Sequence, residues 1–106
     1  MLTQQGAEIV ANALKNEIAK IQLDLSDGTT LTQNATVTDV NISYTDNTAY
    51  FDVSATFDFT DYQSYSITAY AFLNASDQTL ILTSTNVSLQ NKTTEEVVIR
   101  VKVAFS

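Results

Sequence analysis

The spacing of apolar residues near the start of the chain is typical of a helix. Apolar side chains recur there every three or four positions, which is the period of one helical face. These residues are Ala7, Val10, Leu14, Ile18 and Ile21. Thr3 precedes them and suits an N-cap, because its hydroxyl can accept a hydrogen bond from a first-turn amide. We therefore predict an amphipathic helix over residues 3–20 with one buried face.

From residue 21 the period changes to two, which indicates β-strands. The alternation is clearest at residues 49–59, where every second side chain is apolar. Polar turns such as Ser26-Asp27-Gly28 separate the strands. We place six strands at residues 21–25, 36–44, 49–59, 65–73, 79–89 and 97–105. Their connections are too short for parallel crossovers, so the strands should pair antiparallel.

These elements predict one α+β domain of 106 residues, with the helix at 3–20 and a β region at 21–106. The helix should pack on a mainly antiparallel β-sheet or β-sandwich of about six strands, because its apolar face needs cover. The expected core combines helix and strand residues, namely Val10, Leu14, Ile18, Phe51, Val53, Phe57, Phe59, Ile99, Val101 and Val103.

The chain is acidic, with 12 Asp and Glu residues against five Lys and Arg residues and a net charge of −7. No Lys or Arg occurs from residue 21 to residue 91. Such a surface repels phosphate backbones, so we expect no nucleic-acid partner. No apolar run approaches the roughly 18 residues of a membrane span, and the first residues lack the pattern of a signal peptide.

The chain has no His, Cys or Trp, which removes thiol chemistry, disulfides and the side chain that titrates near neutral pH. Paired carboxylates are the remaining catalytic possibility, and the pairs are Asp24 with Asp27, Asp46 with Asp52, and Asp58 with Asp61. Turn formation is the more ordinary role of such residues. We predict no enzyme activity, no cofactor and no metal site, although residues 24–28 partly match a calcium-binding loop.

Five Asn residues stand in glycosylation sequons, and they are Asn34, Asn41, Asn74, Asn86 and Asn91. Sequons matter only if the chain meets a glycosylating machinery. A Thr-rich chain also forms them by chance, and without a signal sequence this is the simpler interpretation.

Aromatic residues are concentrated around the fourth strand. Tyr70 and Phe72 alternate with its expected inward side chains, which are Ile67, Ala69, Ala71 and Leu73. Tyr62 and Tyr65 come just before them. Two hypotheses follow: the N-terminal helix covers Tyr70 and Phe72, or the rings form a protein–protein interface, where Tyr and Phe are enriched.

The third and sixth strands carry opposite charges on their outward faces. Asp52 and Asp58 lie on the third strand, and Arg100 and Lys102 lie on the sixth. If the two strands are neighbours, these residues should form cross-strand pairs. If they are not, the same residues are exposed and complementary between copies, which favours a head-to-tail contact.

Four segments along the chain form a pattern in a fixed order. The first is Leu2-Thr3-Gln4-Gln5-Gly6, leading into the amphipathic helix. The others are Leu25-Ser26-Asp27-Gly28, the strand, turn and strand of residues 68–82, and the closing strand of residues 97–105. This pattern resembles tail-fibre and minor virion structural proteins of tailed phages and related viruses. The resemblance implies no catalytic residue. It implies a virion component that contacts other virion proteins and copies of itself.

The leading hypothesis is a non-enzymatic virion structural or attachment protein, a homo-oligomer assembled in the host cytoplasm. One alternative is an extracellular β-sandwich adhesion module that binds a glycan or a protein. A third is a small carbohydrate-active enzyme, which would need two carboxyls about 5 to 10 Å apart in a cleft.

Overall fold

The computed structural model describes all 106 residues and contains one α-helix and eight β-strands. The helix, α1, spans Gln4–Glu17. The strands are β1 (Lys20–Leu25), β2 (Thr30–Asn34), β3 (Thr36–Val37), β4 (Asn41–Ser43), β5 (Thr48–Asp58), β6 (Ser66–Leu73), β7 (Thr79–Ser88) and β8 (Thr94–Ala104). A short 3-10 helix at Thr60–Tyr62 follows β5. The α+β class predicted from the sequence is confirmed.

The strands form two four-stranded sheets in which every pair is antiparallel. The first sheet has the order β2-β1-β6-β7. In the second sheet, β3 and β4 lie on one side of β5, and β8 lies on the other. The six predicted strands omit β2. The predicted strand at residues 36–44 is two short strands, because residues 38–40 leave the regular ladder; Thr38 still donates its N–H to the Asp52 carbonyl at 2.9 Å.

Thr3 caps α1 as expected, since the Gly6 N–H donates to its hydroxyl at 3.1 Å. The buried face of the helix follows Ala7, Ala11, Leu14 and Ile18. Val10 is 43% exposed, so its expected burial is wrong. At 100° per residue Val10 lies on the flank of this face, and the small Ala7 and Ala11 side chains let the helix approach β5 and β8 closely.

The inward face of β5 is the centre of the core, as predicted. Phe51, Val53 and Phe57 are buried there with Phe59, which directly follows the strand, and with Ile21, Leu23 and Leu25 of β1. The β8 residues that were predicted to lie in the core are less completely buried. Ile99, Val101 and Val103 pack against the core but remain half-buried, because β8 is an edge strand.

Of the predicted inward residues of β6, Ile67, Ala71 and Leu73 are buried, but they do not share one face as predicted. The pairing register shifts between Ile67 and Ala69, so Ile67, Tyr70 and Phe72 share one face, opposite Leu25, Leu23 and Ile21 of β1. A one-residue slip moves all following side chains to the other face of a sheet. Phe72 is 1% exposed and belongs to the same core cluster as Phe57.

The two sheets are joined on one side and open on the other. On the joined side Ala35 alone separates β2 of the first sheet from β3 of the second. On the open side lie the edge strands β7 and β8, linked by residues 89–93. The molecule measures 44 × 31 × 20 Å, with a radius of gyration of 15.0 Å. A compact domain of this size has about 13 Å, so the shape is elongated.

Candidate functional site

One cleft of about 300 Å³ lies on the open side, between β7 and β8. Its floor is formed by core side chains that include Leu23, Phe59 and Tyr70. Val87 of β7 and Val97 of β8 contribute to its opposite walls. The lining is mainly apolar, which is the usual character of a binding cleft.

The charged residues of the cleft are Lys92, Glu95 and Glu96. Consecutive side chains of a strand point to opposite faces, so the two carboxylates diverge. Glu95 is half-buried on the inward face of β8, whereas Glu96 is exposed on the outward face. This divergence is unsuited to a pair of carboxyls acting on one glycosidic bond.

The outer edge of β8 is unpaired along its whole length. Its other edge pairs with β5 without a register shift, from Thr48 opposite Ala104 to Asp58 opposite Thr94. No backbone hydrogen bond joins residues 94–104 to any element other than β5. An unpaired strand presents a row of N–H and C=O groups to an incoming strand. The open edge of β8 is therefore a second candidate binding feature beside the cleft.

Sequence reasoning missed both the cleft and the edge. A local signal was present in Glu95, which continues the inward series of Val97 and Ile99 with a charged side chain. A charge at an inward position indicates that the strand reaches solvent there. The position of β8 at the sheet edge depends on strand order, which the alternation of residues does not specify.

The charged interface candidates Asp52 and Arg100 form a cross-strand pair within the chain. They are direct register partners, and Arg100 Nε and Nη2 donate to the two Asp52 carboxylate oxygens at 2.9 and 3.2 Å. The Arg100 guanidinium carbon lies 4.1 Å from the ring centroid of Tyr50. The hydrogen bond to Arg100 lowers the pKa of Asp52, and Asp52 in turn raises the pKa of Arg100.

Lys102 and Asp58, the other two charged candidates, have different partners. Lys102 Nζ donates to Asp46 at 3.2 Å. Hydrogen bonds from Ser43, Lys102 and Thr48 lower the pKa of Asp46 to about 2. Asp58 accepts from the hydroxyl and the N–H of Thr60, which lowers its pKa. β5 and β8 are neighbours, so the first of the two alternatives holds for Asp52 and Arg100, whereas Asp58 and Lys102 have other partners within the chain.

Four carboxyls of the candidate pairs lack the electrostatics of a general acid. Thr29 donates its hydroxyl and its N–H to Asp27 and lowers the pKa of that carboxyl. The pKa values of Asp46, Asp52 and Asp58 are lowered as well. A glycosidase acid requires a raised pKa. No group of three or more Asp and Glu side chains is placed to hold a metal ion.

The four aromatic candidates do not form one surface. Phe72 lies in the core, so the interface hypothesis is wrong for Phe72. The hypothesis that the helix covers these two rings is wrong as well. Tyr70 and Phe72 lie between the two sheets, whereas the main contacts of α1 are with β5 and β8. Tyr62 packs half-buried against the core, and Tyr65 lies at the surface outside the cleft. Tyr70 alone lines the cleft.

The sequon residues Asn34, Asn41, Asn86 and Asn91 are exposed. Asn74 is half-buried, and its side chain holds a turn: its amide donates to Gln78 Oε1 at 2.8 Å, while its oxygen accepts from the N–H groups of Ser76 and Gln78. Attachment of a glycan at Asn74 would compete with these hydrogen bonds.

Comparisons with protein-family models, with curated proteins and with solved structures found no match to this chain. The helix of the fold is too short and too polar to cross a membrane.

Proposed function

We propose that this protein is a non-enzymatic structural or attachment component of a virion that acts through protein–protein contacts. The observation that carries the proposal is the long unpaired edge of β8 beside an apolar cleft. Soluble proteins usually protect sheet edges with bulges, prolines, covering segments or charged side chains. β8 has neither bulge nor proline, and it exposes Val98 at its centre to 54%.

The charges of β8 are compatible with a strand-shaped partner. Glu95 and Glu96 stand at one end and Arg100 and Lys102 at the other. Charges of a single sign repel an approaching strand, whereas mixed charges select a complementary one. A net charge of −7 opposes random association, so contacts must use such a specific patch.

The distribution of cations supports protein partners over nucleic acid. Four of the five cations form ion pairs with Asp residues, and these are Lys15 with Asp39, Lys20 with Asp77, Arg100 with Asp52 and Lys102 with Asp46. Binding to a phosphate backbone requires a cluster of cations that are free to replace counterions.

An extracellular adhesion module is the second candidate. The half-buried Tyr70 ring in the cleft favours it, because an aromatic side chain can pack against a ligand there. The carbohydrate-active enzyme receives less support, since the two cleft carboxylates diverge and the pKa values of Asp27, Asp46, Asp52 and Asp58 are lowered.

Mass spectrometry of purified viral particles from the source culture tests the proposal. We expect the chain to copurify with the particles at a fixed ratio to other virion proteins, and its gene to neighbour genes for virion components. Absence from particles, with the chain present instead at a cell surface, would contradict the proposal and favour the adhesion module.

A further inference from the structure

We infer that β8 pairs antiparallel with β8 of a second copy, about a two-fold axis at Val98, so that the second sheets of the two copies become one continuous sheet. The inference rests on the proposed function and specifies one partner for it. It concerns the open edge of β8, which makes no backbone hydrogen bond outside its pair with β5.

β8 is the edge best suited to such pairing. Its register with β5 is constant over 11 residues. The edge strand β7 has two register shifts against β6, and β2, β3 and β4 have only five, two and three residues. Shifts bend and twist a strand, and short strands offer few hydrogen bonds. Long regular pairing with another chain is therefore available at β8.

The outward face of β8 is self-complementary when two copies run antiparallel. Its residues are Thr94, Glu96, Val98, Arg100, Lys102 and Ala104. The acidic residue therefore precedes Val98, and the two basic residues follow it. Antiparallel pairing about Val98 places Glu96 opposite Arg100 of the second copy. It also places the exposed Val98 side chains of the two copies against each other. Parallel pairing would set like charges side by side, which is destabilising.

Neighbouring registers are less complementary. A two-fold axis at Glu96 or at Arg100 places identical charges opposite each other. An axis at Ile99 sets Glu96 against Lys102 but leaves each Val98 opposite an Arg100 side chain. The axis at Val98 combines an apolar pair with two opposite-charge pairs, both of which contribute to antiparallel sheets.

The groups needed for these pairs are accessible. Glu96 is exposed and forms no ion pair within the chain. The Arg100 side chain is 49% exposed and directs Nε and Nη2 to Asp52. Nη1 of Arg100 makes no hydrogen bond in the chain, so it can donate to a second carboxylate, as the five donors of a guanidinium allow.

A disulfide tests the axis directly, because the chain has no Cys. Directly opposite residues of antiparallel strands are within disulfide range. Val98→Cys should form a covalent dimer on mild oxidation at micromolar concentration, visible on a non-reducing gel. Thr56→Cys is the matched control, since Thr56 is exposed on the same sheet face but lies on β5. In the dimer, the two thiols of the control variant would be three strand spacings apart, about 14 Å, and also offset by four residues along the strands, about 13 Å.

The variant Glu96→Lys tests the proposed pair between Glu96 and Arg100 of the second copy. Glu96 is the residue changed because Arg100 also binds Asp52 within its own chain. The dimer should dissociate about tenfold more readily, since two attractive pairs become repulsive. Glu17→Lys on the exposed end of α1 changes the net charge equally and should leave dissociation unchanged. Analytical ultracentrifugation gives the constants, and circular dichroism checks that both variants fold.

A wild-type chain that stays monomeric at high micromolar concentration and low salt would overturn the inference. If the wild type dimerises but Val98→Cys crosslinks no better than Thr56→Cys, the inference is overturned as well. Neither result would contradict the proposed function, because that proposal is tested by whether the chain is found in viral particles. Absence from particles would remove the proposed function even if the purified chain dimerised.

Discussion

β7 and β8 border the same cleft but differ in how they pair with the strand behind them. The register of β7 against β6 shifts twice, between Ile67 and Ala69 and between Phe72 and Leu73. The register of β8 against β5 never shifts. β7 carries no charged residue, whereas β8 carries four. The edge of β7 is irregular in its backbone, whereas the edge of β8 is protected from pairing with other strands by charged side chains alone.

This difference indicates where association can be controlled. A bulge disturbs the hydrogen-bonding row itself, so changing one side chain of β7 leaves that edge irregular. An edge protected only by charges accepts a partner whose charges match. Substitutions on β8 should therefore change association, while equivalent substitutions on β7 should not.

The largest expected effect comes from the core that supports both edges. Phe57→Ala removes a ring that is 2% exposed from the inward face of β5, and it should lower the free energy of unfolding by about 3 to 5 kcal/mol. Urea titration followed by circular dichroism measures the loss. A loss below about 1 kcal/mol would contradict the core position of Phe57, since that value is typical of surface substitutions.

The two edges can be compared directly with one substitution made on each. Val98 of β8 and Leu82 of β7 are both exposed, to 54% and 65%. Val98→Lys should weaken self-association about tenfold or more, because two like charges would meet at the proposed axis. Leu82→Lys should leave association unchanged.

Both variants should keep the free energy of unfolding within about 0.5 kcal/mol of the wild type, as is usual for exposed positions. Equal weakening of association by the two variants would mean that β7 contributes to the contact as much as β8. Sedimentation velocity over a concentration series distinguishes these outcomes.

A smaller effect should appear on acidification. The folded-state pKa values of Asp46 and Asp52 are lowered, that of Asp46 to about 2, while unfolded Asp titrates at about 4. Such groups stabilise the fold above the unfolded pKa, and this contribution is lost as pH falls through the folded pKa. The melting temperature should therefore fall between about pH 4 and pH 2.

Asp52 forms an ion pair with Arg100, and Asp46 forms one with Lys102. These pairs connect β8 to β5 and to the turn before β5, whereas β7 takes part in no ion pair. Asp46→Asn combined with Asp52→Asn should reduce the fall in melting temperature on acidification. Asp61→Asn is the control, because the Asp61 side chain makes no hydrogen bond or ion pair. An equal fall in the double variant and the control would show that these pairs do not cause the acid sensitivity.

Several features followed from local pattern alone. The alternation at residues 49–59 specified both the strand and its buried face, because side chains alternate strictly across a regular strand. The helix and its Thr3 cap were likewise predictable, since capping depends on residues within the first turn. The charges of Asp52 and Arg100 indicated a pair, conditional on the strands being neighbours.

Tertiary structure decided the features on which the proposed function rests. The bulge in β6 moved Tyr70 and Phe72 inward, and close approach to the sheet selected Ala11 over Val10 for the buried helix face. Strand order placed Arg100 beside Asp52 and left β8 at an open edge. Residue alternation determines which way a side chain faces within its strand. Which strands become neighbours depends on contacts between distant segments, and no local pattern encodes them.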